Sequence, residues 1–216
     1  MNPILVLIRK ELKVEFRSLQ GLVASAMLSF MILMSLRFSV IDSIILQNSG
    51  ILWASILLTG LGLVTHISTR ESERGTIDLL KLAPITRYQL FLGRMVGSLV
   101  LLWILSTITL VIYVILFGNP FAEDLLLAYL IVLIGCIGLS AVGTLAASSA
   151  TPLHGGWMIT SLFAIPILLF TVIEAAIRST DSLITGSSDF ELAFMLLVMY
   201  NVAFVTGGAW LSEISD

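Results

Sequence analysis

The placement of its charged residues constrains this chain more than any other feature. Asp, Glu, Lys and Arg are absent from 18–36, 43–69, 95–122, 125–173 and 192–212, stretches of 19, 27, 28, 49 and 21 residues. A helix rising 1.5 Å per residue needs about 20 apolar residues to cross roughly 30 Å of hydrocarbon. Four stretches therefore suit one crossing each. The fifth, at 49 residues, would make a helix about 73 Å long. It carries its own break at Thr151-Pro152-Leu153-His154-Gly155-Gly156, where proline removes a donor and paired glycines loosen the backbone. The pattern predicts an all-α polytopic membrane protein, one domain over 1–216, with six transmembrane helices at about 19–36, 48–69, 95–117, 125–150, 156–177 and 191–211.

Composition closes off the alternatives. Only 12% of residues are charged and 58% are apolar, against about 25% charged in an ordinary soluble domain. Cys136 is the single cysteine and prolines number five, so disulfide-framework and proline-rich disordered classes fall away. A net charge of −3 offers no basic face for nucleic acid.

Lys and Arg in the flanks set the expected orientation. The N-terminal tail holds Arg9, Lys10, Lys13 and Arg17, and the connection between spans two and three holds Arg70, Arg74, Lys81, Arg87 and Arg94. The connections on the other side hold only Arg37 and Arg178, beside Asp42, Glu123, Asp124, Asp181, Asp189 and Glu191. Nine against two predicts an inner (cytoplasmic) membrane protein with both termini in the cytoplasm. The first apolar run, 4–8, is too short and too soon followed by charges for a cleavable signal.

Two elements are predicted outside the hydrocarbon. In 1–18, Leu5, Ile8, Leu12 and Phe16, continued by Leu19, recur at steps of three or four with Arg9, Lys10, Lys13 and Arg17 around them. That spacing predicts an amphipathic helix lying in the inner interface, its long basic side chains reaching the headgroups of the bilayer. The plainer alternative is an anchor and nothing more. The second element, 70–94, reads RESERGTIDLLKLAPITRYQLFLGR. Thr76 is an N-cap candidate with Asp78 near the positive end of the dipole, and Pro84 ends the short helix. Thr86 and Gln89 then fit a capping box that starts the helix of span three. A short cytoplasmic coupling helix here would transmit a push on 77–82 to spans two and three; a passive loop is the alternative.

The chemistry of an enzyme is not apparent. No glycine is followed by lysine, so a P-loop cannot exist and any ATPase activity must sit in a separate subunit. His66 and His154 are isolated, with no metal-ligand spacing; each reads as a hydrated interfacial polar group. Cys136 sits among small residues and reads as packing. Glu174 with Arg178 one turn later reads as an interfacial i,i+4 pair. Small residues form rows at Gly143, Ala147 and Thr151, at Ser140, Thr144 and Ser148, and at Ala203 and Gly207. Such rows suit internal packing or a homodimer seam equally.

Segment 71–97 resembles the inner loop of ABC-2 type permeases: Glu73, Gly75, Thr76, Leu80 and Pro84 match, Ile77 and Asp78 are conservative departures, and Leu92-Gly93-Arg94 leads into span three. The whole chain most resembles the CcmB family, the haem exporter permease of cytochrome c maturation. The resemblance is carried by its length, the tail RKELKVEFRS, GLSAVGTL at 138–145, Ile165-Pro166-Ile167 and VIEAAIRST at 172–180. It implies a dimerising membrane subunit whose ATPase-coupling residues are Glu73, Gly75, Thr76, Ile77, Asp78, Leu80 and Pro84. It also implies a cytoplasmic ABC ATPase that binds ATP, a haem-handling membrane protein and a periplasmic haem chaperone. No cofactor is expected on this chain, haem belonging to the complex. An ABC-2 permease for a drug, lipid or polysaccharide is the alternative, and a non-transport membrane scaffold is one of another class.

Overall fold

The computed structural model describes residues 3–39, 49–73, 86–118, 121, 124–150, 172–185 and 190–214. Within them the chain is all-helical: α1 Pro3–Ser18, α2 Gln20–Ser39, α3 Ser49–Glu73, α4 Arg87–Phe117, α5 Leu125–Ala150, α6 Glu174–Thr185 and α7 Phe190–Ile214. Of the five prolines, only Pro3 lies in one of these helices, in the first turn of α1, where its missing donor costs no bond. Four helices are long and apolar enough to cross a membrane: α2, and Tyr88–Phe117, Leu125–Leu145 and Phe190–Trp210 within α4, α5 and α7. In α3 the described apolar part is Ser49–Val64. With no water in hydrocarbon to satisfy the backbone, such segments must close their hydrogen bonds internally as helices.

Bonds between helices give the packing directions. Ser29 on α2 meets Ser55 on α3, and Gly21 at the start of α2 meets His66 near the end of α3, so these two run antiparallel. Ser29 also meets Thr109 on α4, and Arg37 Nε donates to Leu116 O, so α2 and α4 run parallel. Trp103 Nε1 donates to Leu133 O at 3.0 Å and Thr107 pairs with Tyr129, which makes α4 and α5 antiparallel. Helix α4 is the hub, packing against α1, α2, α3, α5 and α7. The largest fully buried side chains follow from that position, with Leu101, Leu102, Leu105 and Tyr113 all on α4.

Several expectations need adjustment. The helix that carries span three begins at Arg87, where the capping box put its start, and α3 continues to Glu73. Flanking turns therefore take up much of the supposed coupling segment 70–94. Thr86 does cap α4 as expected: its hydroxyl accepts from Gln89 N at 3.3 Å and Gln89 Oε1 accepts from Thr86 N at 3.4 Å. Most of the predicted fifth span, 156–171, lies outside the described residues, but its far end runs on past 177 as α6, through Thr185. The Ala203–Gly207 row faces outward, Ala203 being exposed and Gly207 having open space beside it.

Candidate functional site

Helix α1 has the expected apolar stripe and a second face that meets the bundle. Its regular apolar stripe is not the face that packs: Leu5, Phe16 and Leu19 are exposed, while Leu7, Glu11 and Glu15 turn inward. Glu15 is only 3% exposed and Glu11 7%. The reason lies on α4, where Gly93 and Gly97 present two hollows one turn apart. A Cβ at Gly93 would stand 2.9 Å from Leu7 Cβ, and one at Gly97 would collide with the Glu11 carboxylate. A Leu-Glu pair at i,i+4 thus seats on a Gly-Gly pair at i,i+4, the close approach that small-xxx-small rows permit. The predicted basic residues remain outside: Arg9, Lys13 and Arg17 are exposed and Lys10 is half-buried.

Glu15 has a second task. Leu19 adopts a left-handed conformation (φ 52°) that ends α1, its N–H returning to Glu15 O at 2.7 Å. Helix α2 starts at once, and the Glu15 carboxylate accepts from Leu22 N at 3.3 Å. An anion at a helix N-terminus satisfies an orphan donor and complements the dipole. Across the same elbow, a Cβ at Gly21 would lie 2.6 Å from Glu15 Oε1 and 2.7 Å from His66 Nδ1. That nitrogen is buried and has no hydrogen-bond partner among the described residues. Arg94, with Nε and Nη2 buried, follows Gly93 on α4.

Among the described residues the bundle interior is polar chiefly through hydroxyls, with the amide of Asn201 on α7 buried beside them and donating to Leu197 O at 2.7 Å. Ser29, Ser55 and Thr109, each 0% exposed, join α2, α3 and α4 at 3.2 and 2.9 Å, and Thr109 donates onward to Leu105 O. At the end remote from α1, α6 is clamped to α3. Asp181 Oδ1 accepts from Ser49 N at 3.1 Å, Ser49 Oγ donates to Ile177 O, and Trp53 Nε1 donates to Thr180 Oγ1 at 2.9 Å. Glu174 and Arg178 pair at 2.6 Å as expected, both well exposed. Cys136 is fully buried, in keeping with packing. Among the described residues no three His, Cys, Asp or Glu converge as a metal site would require. Of the expected coupling residues, Glu73 closes α3. Gly75, Thr76, Ile77, Asp78, Leu80 and Pro84, like His154, lie outside the described residues. The signals overlooked in the sequence were the Glu11–Glu15 spacing and the Gly93–Gly97 row, each a short i,i+4 pair that means little until the other faces it.

The profile of the CcmB protein family matches residues 2–211. The chain belongs to the CcmB family. This CcmB-family chain is also similar to the Escherichia coli K12 protein named "Probable multidrug ABC transporter permease YbhR", at 32% identity over 119 residues. The protein of that name in Escherichia coli O157:H7 gives the same identity over the same length. The match takes in 55% of the chain, which spans only about a third (32%) of the length of these relatives. Family and helices together make it a membrane protein.

Proposed function

We propose that this chain is the membrane permease subunit of an ABC complex that delivers haem for c-type cytochrome biogenesis, and that a separate cytoplasmic subunit hydrolyses the ATP. The observation that carries this reading is the CcmB family match along nearly the whole chain; a relative named as an ABC permease supports it at a coarser level. The finer picture has six crossings, with both termini and 74–85 in the cytoplasm of the inner-membrane assembly, as the basic flanks require. Two copies form the complex. Glu73, Gly75, Thr76, Ile77, Asp78, Leu80 and Pro84 would meet the ATPase between the two helices that α4's capping box and α3's last turn define. Haem is cargo of the assembly, handled by a membrane partner and a periplasmic chaperone; this chain converts ATPase motion into its release and is not itself an enzyme.

Leu80→Asp tests the reading. A buried unpaired carboxylate costs several kcal/mol, enough to dissociate a modest interface, while 80 lies outside the expected hydrocarbon spans. Insertion should persist while co-purification of the ATPase and assembly of c-type cytochromes fail together. Retention of both would refute the coupling role. A second reading, a permease for drugs, draws on the relative's name. It requires c-type cytochromes to survive deletion of this chain while drug sensitivity rises.

A further inference from the structure

The fold sorts the charged side chains of α1 by sign. Its two carboxylates, Glu11 and Glu15, are buried against the bundle, while Arg9, Lys13 and Arg17 are exposed and Lys10 is half-buried. Helical spacing does the sorting. Each exposed base stands two residues beyond a member of the buried row Leu7, Glu11 and Glu15, about 200° around the helix. A helix with four bases against two acids in its sequence therefore turns outward a row of three positive charges, with both of its acids on the opposite side. Leu5, Val6 and Phe16 are exposed with that row. The level of this face is set by α4. Leu7 and Glu11 seat on Gly93 and Gly97, on either side of residue 95, where the charge-free stretch of α4 begins. The exposed face thus stands where hydrocarbon gives way to headgroups. At that level Leu5 and Phe16 meet acyl chains and the bases beside them meet phosphates, which favours lipid over a soluble protein as the occupant.

We propose that the outward face of α1 is a binding surface for anionic phospholipid headgroups, with Arg9, Lys13 and Arg17 meeting the phosphates and Leu5 and Phe16 entering the acyl boundary. Burial of Glu11 and Glu15 makes the surface selective, because two carboxylates beside the row would offset its charge and repel the same headgroups. The seat on Gly93 and Gly97 holds the row in one orientation, so it is ready before lipid arrives. The surface rests on the geometry of α1 alone. Its assignment to the cytoplasmic leaflet rests on the topology proposed above, and the two are separable by experiment.

The full chain is placed in phosphatidylcholine nanodiscs with a bimane on Val6→Cys, beside the row, or on Leu126→Cys, exposed at the start of α5; the buried Cys136 stays in place. Each label is quenched by titrating spin-labelled phosphatidylglycerol or spin-labelled phosphatidylcholine at about 0.1 M salt. One base near an anionic surface gives about a fivefold gain in attraction. Half-quenching at position 6 should therefore need at least about fivefold less phosphatidylglycerol than phosphatidylcholine, and at position 126 the two lipids should quench alike. The triple change Arg9→Gln, Lys13→Gln and Arg17→Gln should bring the ratio at position 6 close to one, as should about 1 M salt, where screening reaches about 3 Å. Arg9→Lys, Lys13→Arg and Arg17→Lys together should keep the preference. Equal quenching with the row intact, or a preference that survives the triple Gln change, overturns the proposal. So does a triple Gln chain that loses the ATPase with its lipid preference unchanged, which would assign the row to a protein. If accessibility tags place α1 outside the cell while the preference stands, the proposed topology falls and the lipid surface does not.

Discussion

Gly135→Ala is the smallest change that probes how the far end of the bundle is held. Gly135 on α5 packs against the Trp53 ring of α3, and a methyl there would overlap Cη2 and stand 2.8 Å from Cζ3. Ordinary carbon contacts are about 3.5–4.0 Å, so the indole must retreat by about 1 Å. Trp53 is only 3% exposed and its Nε1 donates to Thr180 at 2.9 Å. A shift of that size carries the bond past hydrogen-bonding range. Overpacking of a filled interior costs about 1–3 kcal/mol, and the lost bond adds about 1 kcal/mol. We expect Gly135→Ala to destabilise the fold by about 2–4 kcal/mol, read from reversible unfolding in mixed micelles titrated with dodecyl sulfate. The specific claim is the coupling. Trp53→Leu removes the ring that the methyl strikes, so adding Gly135→Ala to it should cost less than about 1 kcal/mol, a coupling of about 1–3 kcal/mol between neighbours. If the two substitutions add, or if Gly135→Ala alone is neutral, the close packing of α3 on α5 described here is wrong.

The same unfolding measurement checks four further expectations. Thr109→Val removes one corner of the hydroxyl knot and leaves Ser29 with a single described partner; it should cost about 0.6–2 kcal/mol, the range for interhelical hydrogen bonds in membranes. Thr206→Val, an exposed position whose hydroxyl only bonds back to its own helix, should be close to neutral. Asp181→Ala strips the acceptor from the first N–H of α3 and should lose about 1 kcal/mol, as removal of a helix cap does. Glu174→Gln, by contrast, breaks an ion pair whose side chains are 51% and 67% exposed, and should change stability by less than the effect of Asp181→Ala.

Much of the fold was legible because its causes are local. Charge-free length, with the Pro152–Gly156 break for the 49-residue stretch, located α2, α5 and α7 to within a few residues, since a helix that crosses hydrocarbon must be long and apolar wherever it sits. The Thr86–Gln89 box and the Glu174–Arg178 pair were equally readable, each spanning one turn of one helix. The face by which α1 meets the bundle was not legible in the same way. Its cleanest periodicity, Leu5, Ile8, Leu12 and Phe16, marks the face expected at the bilayer interface, not the face that meets protein. For a helix attached to a membrane bundle, exposed leucine and phenylalanine carry no penalty where lipid covers them, so periodicity no longer tells which face meets protein.

By itself, then, the amino-acid order determined the class of molecule, its helical character and the approximate place of most helices. Hydrocarbon admits few backbone solutions, and charged residues betray where each one ends. What tertiary structure alone decided is which polar groups would be hidden together. Glu11 and Glu15 look like half of an ordinary charged face until Gly93 and Gly97, some eighty residues away, open the hollows that receive α1. His66 looks solitary until the elbow at Leu19 turns Gly21 and Glu15 toward it. A buried charge is tolerated only where its partners converge in space, and that convergence depends on every bend and contact that brings the helices together.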